Sequence, residues 1–188
     1  MTGPHCYHPC YCEENVWWLC QHERVASLER WVVFISNAER CCALFEQQAG
    51  LAGGAVIWDY HVILLARGDD ELQVWDLDSR LGLPCGLPDY LAQTFPLQQL
   101  GAEAFAPRFR VVEVVDFLAS FATDRSHMRE IDGRWLAPPP PWKAPGAAGQ
   151  VPNLMRFVDM DDAIAGVVVD LPGLVRRFGL DEPPGAPR

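Results

Sequence analysis

The sequence predicts an α/β protein of the α+β kind: a single domain with a central, mostly antiparallel sheet flanked by helices. Three observations lead there. Of 188 residues, 49% are hydrophobic and 21% charged, which supplies one sizeable core and gives no reason for a second. Apolar runs rich in β-branched and aromatic residues, at 31–35 and 56–66, read as buried strands. Segments whose apolar residues recur at three- and four-residue steps, the first starting at Cys12, read as helices around them.

In chain order, residues 1–9 form an irregular arm ended by Pro9, 10–180 a single catalytic domain, and 181–188 a disordered Pro/Gly tail. From Cys12 the pattern turns helical, with Val16, Leu19, Cys20 and Glu23 on one face. A strand at 31–35 is followed by a helix over 38–49 that Gly50 can end in a left-handed conformation. Strands at 56–66 and 71–77 come next, joined by Arg67-Gly68-Asp69-Asp70. Short helices are expected at 89–94, 116–122 and 174–178, the last stopped by Gly179, with strands at 109–115 and 165–170. Pro138-Pro139-Pro140-Pro141 must be extended, and the flanking Trp135 and Trp142 favour a loop pressed against the body over an exposed ligand for a proline-reading domain.

The joint between the middle strands sets a register. With Gly68-Asp69 as a two-residue type II′ turn, His61 faces Asp76 and Asp59 faces Asp78. Facing residues share a face with β-carbons about 4.5–5.5 Å apart, close enough for a carboxylate to orient an imidazole. Opposed carboxylates at 59 and 78 repel, so a strand ending near Asp78 is the alternative.

Charge narrows the function. A formal net charge of −10 argues against a phosphate-tracking surface, so nucleic acid is not an expected partner. The chain shows neither a secretion signal nor a bilayer-spanning apolar stretch, so a soluble protein without membrane partners is expected, in the cytoplasm with the nucleus as a second option. Seven cysteines, an odd number without a secretion signal, read as free thiols. The cluster of His5, Cys6, His8, Cys10 and Cys12 fits paired zinc-knuckle spacing poorly, so no metal is expected.

Cys12, at the start of a helix, gains from unpaired backbone N–H groups, whereas Glu13 and Glu14 oppose its ionisation. His61 can supply the missing activation as an imidazolium partner, and Asp76 can hold its ring. The Cys12 backbone N–H is a candidate oxyanion donor. Spacing alone leaves a peptidase, an acyltransferase and an amidase open.

Five motifs narrow that choice: Tyr11-Cys12-Glu13-Glu14-Asn15-Val16-Trp17, Val33-Phe34-Ile35-Ser36-Asn37, Val56-Ile57-Trp58-Asp59-Tyr60-His61-Val62, Trp75-Asp76-Leu77-Asp78, and residues 121–128 from Phe121 to Met128. In this order they resemble the protein N-terminal glutamine amidohydrolases, and the likeness runs from about Cys10 to Gly179. The resemblance implies a fold related to papain-like and transglutaminase-like cysteine hydrolases. It implies deamidation of N-terminal glutamine to glutamate with release of ammonia, and a role in the N-degron pathway. It puts the catalytic cysteine, histidine and aspartate on Cys12, His61 and Asp76, acting through a γ-glutamyl thioester without metal or cofactor. The expected partners are proteins and peptides that begin with glutamine, met by a monomer. Reading a free α-ammonium calls for carboxylates near the nucleophile, and Glu13, Glu14 and Asp59 are the candidates. Trp58 and Tyr60 should face away from His61 into the core, and Ser126 and His127 belong to a loop bordering the cleft. The rival readings are a cysteine peptidase or transglutaminase-like acyltransferase using the same residues, and a non-catalytic module that holds zinc and offers its proline run.

Overall fold

The computed structural model describes residues 6–68, 71–96 and 103–180. Its centre is a six-stranded sheet in the order β6-β5-β4-β1-β7-β8, every neighbouring pair antiparallel. The strands are β1 (Glu29–Ser36), β4 (His61–Arg67), β5 (Leu72–Trp75), β6 (Cys85–Gly86), β7 (Arg108–Glu113) and β8 (Val167–Asp170). A separate ribbon pairs β2 (Cys42–Leu44) with β3 (Val56–Trp58).

Alternation along β1 divides the core. Val32 and Phe34 join Val62, Leu64 and Val112 on one face, against α1 (Cys12–Leu19), α4 (Val114–Ser120) and α5 (Leu154–Val158). Val33 and Ile35 join Ile63, Leu65 and Val111 on the other, against α3 (Leu87–Thr94) and α6 (Leu171–Arg177). Because both faces are covered, the central strands read as continuous apolar runs without a polar alternation. Arg110 is the exception on β7, fully buried opposite Phe34, and it donates to the carbonyls of Phe157, Asp159, Asp162 and Ile164. Those bonds satisfy a buried guanidinium and fold the segment after α5 onto the sheet.

The expected helix from Cys12 to Glu23 is two helices, because His22 leaves helical geometry and caps α2 (Glu23–Ala26) with its ring nitrogen. The expected helix over 38–49 does not form. Arg40 and Glu46 lie at positive φ, Asn37 ties down the carbonyls of Cys41, Ala104 and Ala106, and β2 pairs with β3 instead. The expected strand over 56–66 breaks at Asp59 and Tyr60, with β3 on the ribbon and β4 in the main sheet.

The β4–β5 pairing is antiparallel as predicted, but displaced by two residues: Leu64 faces Trp75, where the Gly68-Asp69 turn would set it against Gln73. The Gly68 N–H bonds to the Glu71 carbonyl, and Asp69 lies outside the described residues. A displacement of two keeps every side chain on its expected face, whereas a displacement of one would reverse them all. The expectation of a disordered tail also falls outside the described residues, as do the first five positions of the arm. The proline run lies on the body, with Pro140 buried, the Ala137 carbonyl accepting from Tyr11 and the Pro140 carbonyl from Arg125. Among the described residues, no helix is long and apolar enough to cross a membrane.

Candidate active site

Cys12 opens α1, whose first turn carries Glu13 and Glu14 and is buried against the body. That turn is held from several directions. Asn15 exchanges two hydrogen bonds with the His8 backbone, so the arm is fastened to the helix it precedes. Glu14 is wholly buried and receives Arg125 Nε at 2.7 Å, Arg125 Nη2 at 2.8 Å and Trp142 Nε1 at 2.8 Å. The two Arg125 bonds form a bidentate clamp of the guanidinium on the carboxylate. Glu14, expected to meet a ligand, is therefore fully engaged in holding the second half of the chain on α1.

His61 is the first residue of β4, and Asp76 follows the last residue of β5. His61 Nε2 and Asp76 Oδ1 are 2.8 Å apart, both buried. Asp76 has three further donors: the Asp78 N–H at 3.0 Å, Gln47 Nε2 at 3.1 Å and the Tyr90 hydroxyl at 2.8 Å. Burial alone would raise the Asp76 carboxyl, but His61, Gln47 and Tyr90 together hold it below its ordinary range. Burial pulls the His61 imidazole down, while Asp76, with Asp78 and Glu13, outweighs that and leaves it raised. The arrangement favours an imidazole that keeps one proton on Nε2 toward Asp76 and has Nδ1 for exchange. Trp58 lies flat against the ring, with centroids 5.7 Å apart and planes 18° apart. Its expected place on the opposite face from His61 assumed an unbroken strand, and the break at Asp59 swings it back.

Helix α1, which carries Cys12, packs on β4, and the backbone N–H of Val62, next to His61, favours the thiolate. Burial pushes the thiol well above its ordinary value, and Glu13, Asp78 and Asp59 push it further, against that single N–H. Glu13 Oε2 is 3.8 Å from the sulfur and accepts from the Tyr60 hydroxyl at 3.0 Å; Oε1 is buried without a hydrogen-bond partner. His127 completes this cluster, with Nε2 3.2 Å from the Tyr60 hydroxyl and 3.7 Å from Glu13 Oε1. Burial raises the Glu13 carboxyl to about 7. Tyr60, expected in the core, does pack there, and its hydroxyl also reaches the site. Asp59 is exposed, and one of its oxygens accepts the Tyr60 N–H at 2.9 Å.

The structure pairs His61 with Asp76 as the sequence reading expects, and adds Gln47, Tyr90 and the Asp78 N–H around that carboxylate, which the reading did not name. Gln47 and Tyr90 come from a loop and a helix with no spacing relation to Asp76. Asp78 lies in the fourth motif, and the expected register set it opposite Asp59 instead of beside His61. Ligand atoms of His61, Asp76 and Asp78 lie within 4.8 Å of one another, the one cluster among the described residues in which a metal ion could be held. All seven cysteines are free thiols, and His8 and the cysteines of the arm form no such cluster among the described residues.

Comparison with known proteins adds an independent line. The model of a family described as N-terminal glutamine amidase matches residues 7–178. A Bos taurus protein named protein N-terminal glutamine amidohydrolase is 38% identical over 178 residues, covering 92% of this chain and 86% of its own. A Homo sapiens protein of the same name is 37% identical over 179 residues, covering 92% and 87%. One from Arabidopsis thaliana is 43% identical over 167 residues, covering 82% and 75%.

Proposed function

This chain belongs to the N-terminal glutamine amidase family, and from that premise we propose that it deamidates N-terminal glutamine with Cys12 as nucleophile, His61 as acid and base, and Asp76 as the group that orients His61. The enzyme is an amidohydrolase, and its reaction converts glutamine at a chain terminus into glutamate and ammonia.

The mechanism starts from a protonated thiol. His61 Nδ1 takes the Cys12 proton as the sulfur attacks the glutamine Cδ, and the carbonyl oxygen becomes an oxyanion near the Cys12 backbone N–H. Collapse breaks the C–N bond, with His61 returning the proton to the departing ammonia and leaving a γ-glutamyl thioester. Water then attacks the thioester with His61 as base, and glutamate leaves as the thiol reforms. The chemistry draws on no cofactor. The observation that carries this reading is the buried His61–Asp76 pair, with His61 on β4, the strand against which the Cys12 helix packs.

Of the three carboxylates expected to read the α-ammonium, Glu13 and Glu14 are enclosed and Asp59 is exposed. The substrates are proteins and peptides that begin with glutamine, met by a monomer in the cytoplasm and the nucleus. The glutamate product feeds the N-degron pathway. The test is ammonia release from two peptides that differ only in a first Gln or Asn, with the wild-type protein and Cys12→Ala. Release from the Gln peptide alone, lost in the variant, is expected. No release by folded wild-type protein overturns the proposal.

A further inference from the structure

The charged groups that bear most on the Cys12 sulfur are the carboxylates Glu13, Asp78 and Asp59. These carboxylates oppose ionisation of the thiol beyond what His61 supplies, and a cation that arrives with the substrate offsets them. We infer that Asp78 receives the α-ammonium of the substrate's first residue, in exchange for the Tyr7 hydroxyl that it holds in the free enzyme. The inference rests on the N-terminal glutamine reading and adds the residue that recognises the free terminus.

Reach comes first. Four bonds separate the glutamine Cδ from its α-nitrogen, so the two atoms are at most about 5 Å apart. The acceptor must therefore lie close to the reacting carbon, and an Asp78 oxygen lies within 4.8 Å of a His61 ring nitrogen. Asp78 is also fixed relative to that ring. Its N–H donates to Asp76 Oδ1 at 3.0 Å, and its carbonyl accepts the Gln48 N–H at 2.7 Å.

Availability separates Asp78 from the other carboxylates. Glu14 is clamped by Arg125 and Trp142, and Glu13 is wholly buried with Tyr60 on one oxygen. Asp59 faces solvent, where an ion pair gains little. Asp78 is half-buried, and Oδ1 is occupied by the Tyr7 hydroxyl at 2.7 Å. Tyr7 belongs to the N-terminal arm and is 41% exposed, so its phenol can leave without disturbing the core. An ammonium that replaces it makes a charge-assisted bond where the phenol made a weaker one. It also offsets the anionic field over the sulfur. A free terminus is then favoured in the chemical step as well as in binding.

The experiment compares a peptide beginning with Gln and its des-amino counterpart, in which hydrogen replaces the α-amino group. Wild-type protein is expected to favour the Gln peptide strongly in kcat/KM. Asp78→Asn is expected to lose about 10- to 100-fold of that preference through the Gln peptide, while turning over the des-amino peptide as fast or faster. Tyr7→Phe, which removes the competing donor, is expected to lower KM for the Gln peptide by about threefold or more. Calorimetry with Cys12→Ala, alone and with Asp78→Asn, should show the same loss of Gln-peptide affinity without turnover. An unchanged preference in Asp78→Asn, an equal loss on both peptides, or a raised KM in Tyr7→Phe overturns the assignment. Wild-type protein that releases no ammonia from the Gln peptide overturns the amidase reading instead.

Discussion

Glu13 carries an electrostatic burden that its neighbours do not relieve. It is 0% exposed and raised by burial from an ordinary 4.5 to about 7, with Glu14 adding and Tyr60 opposing. Between those values the folded protein holds a proton that the unfolded chain has released, so stability falls as pH rises through that window. Glu13→Gln removes the titration. It should stabilise the protein by about 3 kcal/mol at pH 8 and by nothing at pH 4, measured by urea unfolding at the two values. An equal effect at both would mean that the carboxyl is not the source. At this scale the sequence is legible where chemistry is rare and blind where it depends on surroundings. The proposed site residues Cys12 and His61 stand out because a histidine in an apolar strand and a cysteine at a helix start are uncommon choices. Glu13 and Glu14 look identical in sequence, yet one abuts the thiol and the other is clamped by Arg125. Nothing in their spacing tells them apart, because Tyr60, which bonds Glu13, and Arg125, which clamps Glu14, lie 47 and 111 residues away.

Among elements, the central strands are legible because both of their faces are buried and their composition is continuous. The ribbon of β2 and β3 is not, since each strand has three residues and the break at Asp59 interrupts a run that reads as one strand. The hairpin prediction kept its faces through a two-residue displacement, which is why His61 and Asp76 meet although the ladder ends at the Leu64–Trp75 pair. The element with most at stake is α1, whose first turn depends on Arg125 and Trp142. Arg125→Met leaves Glu14 buried without its guanidinium, a change of the kind that costs about 3–5 kcal/mol. Thermal unfolding should register that loss. Adding Glu14→Gln should recover part of it, because the stranded charge is then gone; no recovery would mean that Arg125 acts through its carbonyl bonds to Pro140 and Trp142 instead.

For the molecule as a whole, the three proposed catalytic residues all lie in the first 76 positions, while much of what holds them lies beyond residue 107. Phe157 stacks on Phe34 with centroids 5.1 Å apart, and Arg110 fastens residues 157–164 to the sheet. A chain ended after Ser120 keeps Cys12, His61 and Asp76 but loses the Arg125 clamp, the Trp142 bond and the Phe157 side of the core. Such a chain should release no ammonia from a Gln peptide and show no cooperative thermal transition. A sharp transition in that fragment would show that the first half of the sheet stands without α5.

The Glu14–Arg125–Trp142 clamp also gives the enzyme a timetable. Synthesis proceeds from the amino end at roughly 5–20 residues per second, so Cys12 leaves the ribosome well ahead of the residues that fasten its helix. The 130 residues from Cys12 to Trp142 take on the order of 7 to 26 seconds to add. Through that interval the nascent chain carries its thiol without the clamp that seats α1. The seating of α1 is then completed late in synthesis, and a translation product cut short before residue 142 lacks the Trp142 bond to Glu14.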